Sequence, residues 1–138
     1  MNIAFFLKPK ASVAFLYSDF TLRQALEKMR HYGYTAIPVI GRDGLYAGTV
    51  SEGDFLWYML SCFNDGKNVD QRYIEETPLK KILRTESYMP VKITANMDEM
   101  YNVAMKQNFV PVVDDLGSFI GIITRRDIIK YLADDAKK

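Results

Sequence analysis

Residues 34–59, YTAIPVIGRDGLYAGTVSEGDFLWYM, align without gaps on residues 107–132, QNFVPVVDDLGSFIGIITRRDIIKYL. Pro38 falls on Pro111, Val39 on Val112, Gly44 on Gly117, Gly48 on Gly121, Asp54 on Asp127 and Tyr58 on Tyr131. Six identities in 26 positions exceed the roughly one or two that ordinary composition would produce. The apolar pattern is kept as well: Ile37 lies over Val110, Ile40 over Val113, Tyr46 over Phe119, Val50 over Ile123 and Phe55 over Ile128. The chain therefore carries an internal duplication. Further upstream Leu22, Ala25, Leu26 and Met29 lie over Met97, Met100, Tyr101 and Ala104, so the second copy is two residues shorter ahead of its proline.

Both copies read alike. Leu22, Ala25, Leu26 and Met29 have helical spacing, and Thr21 with Gln24 three residues on makes a capping box. Asn96 and Glu99 open the matching helix. Gly33 has the conformational freedom to end the first helix in the left-handed region. Ala36 to Ile40 is then a short continuous apolar run, the mark of a buried strand, and Arg42-Asp43-Gly44 supplies a turn. Tyr46 to Val50 makes a second strand and Asp54 to Phe63 a second helix. A short extended run, Val13 to Leu16 or Tyr88 to Ile93, precedes each first helix. The order in each copy is strand, helix, strand, strand, helix. Between the copies Asn64 to Asn68 is a polar loop, and Thr77-Pro78 starts a short helix through Leu83, with proline at the favoured first position.

The expected organisation is a first repeat over residues 1–63 with the N-terminal segment, a linker over 64–86, and a second repeat over 87–138. A half of about 60 residues buries too little to stand alone, so two such halves are expected to pack against each other. The chain of 138 residues is 49% hydrophobic and 13% aromatic, enough for such a core. Its net charge of +1 provides no general attraction for nucleic acid or anionic lipid. One cysteine, Cys62, and one histidine, His31, exclude an internal disulfide, a multi-cysteine zinc site and a two-histidine metal site. They read as a buried thiol and a helix-end histidine, and no nucleophile and base can be assembled for an enzyme. The apolar start Ile3 to Leu7 is too short for a signal sequence, and no stretch approaches 18 apolar residues. A cytoplasmic location is expected.

With both blocks in view, Gly33-Tyr34-Thr35-Ala36-Ile37-Pro38-Val39 followed by Gly48-Thr49-Val50-Ser51-Glu52-Gly53-Asp54, and their second-copy counterparts, the chain resembles a tandem pair of CBS domains, the Bateman module, from about Lys8 to Ala133. The resemblance implies an α/β (α+β) fold of two pseudo-symmetric β-α-β-β-α repeats packed through their sheets. It implies a regulatory module, not an enzyme. Such pairs often bind AMP, ADP, ATP or S-adenosylmethionine in clefts between the sheets, require no cofactor, and commonly dimerise through their helices. The family's ribose pattern, Ser/Thr-x-x-Asp, lands on Ser51 and Asp54 and on Thr124 and Asp127. The base is implied to lie against Tyr34, Thr35, Ala36, Ile37 and Pro38, against Asn108, Phe109, Val110 and Pro111, and near Ser12 and Met89.

Chemistry supports such a site independently. A carboxylate accepts two hydrogen bonds from adjacent ribose hydroxyls, and a neighbouring hydroxyl adds a third. A helix start offers backbone N–H groups to phosphate, and Arg125 and Arg126 would neutralise it. Glu52 disfavours phosphate in the first copy, so the second is expected to be the better phosphate site. It has, however, lost two residues and lacks a counterpart of Gly33. Ser51-x-x-Asp54 and Thr124-x-x-Asp127 are equally ordinary helix caps, and both readings stand at this point. The reading from sequence is a ligand-sensing homodimer that regulates an unidentified protein in trans. The alternative is a ligand-free dimerisation scaffold, its clefts filled by side chains such as Tyr34, Phe109 or Met89. Candidate dimer faces are led by Phe55, Leu56, Tyr58 and Met59 and by Ile128, Ile129 and Leu132. Lys80, Lys81 and Arg84 read as a solvated face.

Overall fold

Thr21 opens the first long helix through the box that the sequence predicts. Its Oγ1 accepts from Gln24 N at 3.2 Å while Gln24 Oε1 accepts from Thr21 N at 2.9 Å, satisfying two backbone donors reciprocally. Helix α1, Leu22–Tyr32, buries Leu22, Ala25 and Met29 on one face and ends at Gly33, whose φ is 72°. This computed structural model describes residues 2–84 and 88–137. The described chain divides into two compact units, residues 14–84 and residues 2–13 with 88–137. The expected boundary between residues 86 and 87 lies outside the described residues.

In the unit of the first repeat, strand β2 (Leu16–Tyr17) runs parallel to β3 (Ala36–Ile40), which pairs antiparallel with β4 (Tyr46–Ser51). Helix α2 (Glu52–Asn64) follows. Ile37, Val39 and Val50 meet Leu22, Met29 and Phe55 in one core. The unit of the second repeat reproduces this arrangement. Strand β5 (Val91–Lys92) is parallel to β6 (Phe109–Val113), β6 is antiparallel to β7 (Phe119–Thr124), and helices α4 (Met97–Ala104) and α5 (Arg125–Ala136) take the places of α1 and α2. The duplication holds at the level of register. Pro38 lies opposite Thr49 and Val39 opposite Gly48, as Pro111 lies opposite Ile122 and Val112 opposite Gly121.

The N-terminal segment corrects the sequence reading. It was expected with the first repeat, but it belongs to the unit of the second. Strand β1 (Lys8–Pro9) pairs antiparallel with β7, Lys8 opposite Ile122 and Pro9 opposite Gly121, while Ile3 and Phe6 are buried in that unit's core. An edge strand with unpaired N–H and C=O groups needs such a cover. Residues 79–84 do the same in the first unit: Leu79 and Ile82 are buried, and Arg84 bridges Thr49 on β4. Ile3, Phe6 and Lys8 thus correspond to Leu79, Ile82 and Arg84.

Three smaller expectations change. The helix from Thr77 to Leu83 is only a 3-10 turn, Leu79–Lys81, because the chain must return to an extended form to reach Thr49. A helix not foreseen, α3 (Gln71–Glu76), is capped by Asp70, which accepts from Tyr73 N at 2.9 Å. It carries too few apolar residues to show a period, and it is tied down by polar contacts such as the Arg23–Glu75 ion pair. The apolar faces also differ. Phe55 and Ile128 lie in the cores, and the exposed apolar residues are Leu56, Trp57, Leu60 and Phe63 on α2 and Ile129 and Leu132 on α5.

Candidate functional site

Each second strand of a repeat runs straight into a helix, and each junction is tied to the segment before the proline. Ala36 lies opposite Ser51, and Phe109 opposite Thr124. The first helical N–H donates back to that segment: Glu52 N to Thr35 O at 2.9 Å, and Arg125 N to Asn108 O at 3.0 Å. The third donates to the cap hydroxyl, Asp54 N to Ser51 Oγ at 3.3 Å and Asp127 N to Thr124 Oγ1 at 3.2 Å. Two of the first three donors are therefore already paired, which limits what the helix start can offer a phosphate.

The two carboxylates then part company. Asp54 Oδ2 accepts from Ser51 N at 2.8 Å and from Ser51 Oγ at 3.0 Å, and Oδ1 lies 3.3 Å from Arg84 Nε. The side chain is 12% exposed. This carboxylate is consumed by its cap and its ion pair. At Thr124 only the backbone half of the cap is made. Asp127 is 33% exposed, and its Oδ2 lies 3.4 Å from Lys8 Nζ. Arg84 is exposed, as Lys80 and Lys81 are, and it adds to that solvated position the ion pair with Asp54.

The base stretches are placed as follows. Ile37 and Val110 are fully buried in the cores, and Pro38 and Pro111 are buried too, so these residues have no free side chain to present. Tyr34 is 44% exposed and stacks on Tyr32, ring centroids 5.9 Å apart. Thr35 is exposed and Ala36 half-buried. In the other unit Phe109 is buried against the Tyr88 ring at 4.7 Å. Gln107 Nε2 donates to Met89 O at 3.1 Å and to Phe109 O at 3.0 Å, drawing those stretches together. Ser12 is exposed in a 3-10 turn, Lys10–Ser12, that packs on β7. Arg125 turns inward, Nε donating to Ala104 O at 3.0 Å and Nη1 to Asn108 Oδ1 at 3.4 Å, whereas Arg126 is exposed.

The CBS domain model matches residues 8–61 and 79–134. The chain belongs to the CBS-domain family. An uncharacterized protein of Methanocaldococcus jannaschii is 26% identical over 141 residues, spanning 85% of this chain and 84% of its own. A CBS domain-containing protein of Dictyostelium discoideum is 28% identical over 122 residues, spanning 83% and 80%. The crystal structure of the Listeria monocytogenes CbpB protein in complex with c-di-AMP superposes with a TM-score of 0.84 at 23% identity, covering 98% of this chain and 97% of that one. That of a CBS domain protein from Streptococcus pneumoniae superposes with a TM-score of 0.86 at 25% identity, covering 98% and 88%.

Two residues of this CBS pair escape motif reading, Lys8 and Arg84. Each sits after a leucine, Leu7 or Leu83, in a short apolar run, and that spacing is the one signal available in the sequence. The single thiol is placed as expected: Cys62 is buried, 3.6 Å from Tyr73 Oη. Burial, and then the hydrogen bond with Tyr73, raises the neighbouring Tyr58 phenol above its ordinary pKa. Among the described residues no group of three His, Cys, Asp or Glu side chains is placed to hold a metal, and no helix is long and apolar enough to cross a membrane.

Proposed function

We propose that this CBS pair is a cytoplasmic regulatory module that binds an adenine nucleoside or nucleotide at the Thr124–Asp127 junction and acts on a partner protein in trans, as a homodimer. One observation carries the reading: Asp127 keeps an open carboxylate beside an ammonium group, while its equivalent, Asp54, is closed by its own cap and Arg84. An open carboxylate held at a rigid strand-to-helix junction suits a ribose diol, which presents two donors side by side. The shared fold with CbpB, crystallised with c-di-AMP, supports an adenine-containing ligand.

A melting screen with adenosine, AMP, ADP, ATP, S-adenosylmethionine and c-di-AMP tests the proposal. A ligand that binds only the folded form at 100 times its Kd adds about 2.7 kcal/mol of stability. A rise in Tm with at least one of the six is the expected outcome, and no shift with any at millimolar concentration overturns the adenine reading. A specific observation favours the second reading, a scaffold with no ligand: Phe109 is buried under the Tyr88 ring in the stretch assigned to the base. That reading predicts no shift in the screen and an unchanged dimer.

A further inference from the structure

We infer that Lys8, carried by β1, is the residue that reads the ligand's phosphate at the Asp127 junction, in place of the arginines at the helix start. The inference rests on the nucleotide reading above and names the contact that makes it selective. Pairing of β1 with β7 sets Lys8 opposite Ile122, two residues before Thr124, and its Nζ lies 3.4 Å from Asp127 Oδ2. The Lys8 side chain is 50% exposed. An ion pair this open contributes at most about 1 kcal/mol, so the ammonium group turns toward a new anion at little cost.

Arg125 lacks that freedom. Its guanidinium holds the Ala104 carbonyl at the end of α4 and reaches Asn108 Oδ1, and turning it outward would strip a helix-end carbonyl of its donor. Beside the Lys8–Asp127 pair lies a depression of about 370 Å³, lined also by Tyr131 and Lys130, within the range of small-molecule sites. A ligand whose diol engages Asp127 leaves its phosphate within the sweep of the four-carbon lysine stem. The repeat supplies an internal comparison. Arg84 holds the corresponding place in the other unit, 3.3 Å from Asp54 Oδ1, but there the carboxylate is closed. A cation on the segment that covers the sheet edge is thus present twice, and beside an open carboxylate once.

The test is calorimetric titration of the full chain with adenosine and with AMP, which differ by the phosphate, reading the ratio of the two affinities. Wild-type protein should prefer AMP. Lys8→Gln should lower that preference about tenfold, the scale of a lost hydrogen bond to a charged group, and Lys8→Arg should restore it. Equal wild-type affinities for adenosine and AMP overturn the inference. So does a preference that survives Lys8→Gln, most directly if Arg126→Gln abolishes it. A protein whose Tm moves with none of the six compounds removes the nucleotide reading itself, an outcome distinct from a wild type that binds AMP without help from Lys8. Superimposable melting curves for free Lys8→Gln and Lys8→Arg show that the comparison is made on folded protein.

Discussion

Both oxygens of Asp54 are engaged, one by Ser51 and one by Arg84, whereas among the described residues the Asp127 carboxylate pairs with the Lys8 ammonium through one oxygen. The two positions are indistinguishable as motifs, since Ser51-x-x-Asp54 and Thr124-x-x-Asp127 share spacing and chemistry. Capping was legible at both because it is a contact across three residues. The fate of the carboxylate was not, because its cation arrives from a segment remote in sequence. The asymmetry predicts opposite mutational effects. Asp54→Ala should destabilise the free protein by about 2 kcal/mol, through loss of the cap and of a partner for Arg84, with nucleotide affinity unchanged. Asp127→Ala should cost under about 1 kcal/mol and weaken nucleotide binding at least tenfold. Urea unfolding and titration of both variants decide it, and a large loss of stability in Asp127→Ala at unchanged affinity would restore the capping reading there.

The strands that cover the sheet edges show why two glycines recur at the same place in the repeat. Gly121 has φ of 155°, and a Cβ on it would run into the Lys8 carbonyl. Gly48 has φ of 147°, and a Cβ there would lie 3.0 Å from the Arg84 carbonyl. The pair was visible in the sequence as identical residues, but the close approach that demands glycine belongs to the tertiary structure. Gly121→Ala should destabilise the protein by about 2 kcal/mol through backbone strain and clash. Loosening β1 should also speed tryptic cleavage after Lys10. Gly48→Ala should do less damage, since its contacts are more relaxed. Equal melting temperatures for the Gly121→Ala and wild-type proteins would show that β1 does not depend on this contact.

At the level of assembly, α2 exposes Leu56 at 55%, Trp57 at 63% and Phe63 at 75%, and α5 exposes Ile129 at 59%. Large apolar side chains exposed along a helix in this way mark an interaction surface. Light scattering at micromolar concentration should therefore return a dimer, and Trp57→Asp should shift it toward monomer. A wild-type monomer at that concentration counts against the homodimer. The helical period revealed two apolar helices but not which flank faced inward. Phe55 and Ile128 read as members of the outer face and are in fact core residues. Local spacing defines a stripe, and only the packed sheet says which edge of the stripe it covers.

The duplication, the strand and helix order, the capping residues and the left-handed Gly33 were all readable from the chain, because each depends on contacts spanning a few residues or on a period repeated twice. The company kept by the N-terminal segment, the buried core places of Phe55 and Ile128, the inward turn of Arg125 and the unequal states of Asp54 and Asp127 were decided by the tertiary structure. The core places depend on how each helix packs on its own sheet, and the turn of Arg125 on the end of α4. The N-terminal segment and the two aspartates depend on which sheet edge stands vacant and which distant segment fills it. That choice is made by backbone hydrogen bonding and burial across the whole unit, where residues as unlike as Ile3-Ala4-Phe5-Phe6 and Leu79-Lys80-Lys81-Ile82 fill equivalent places.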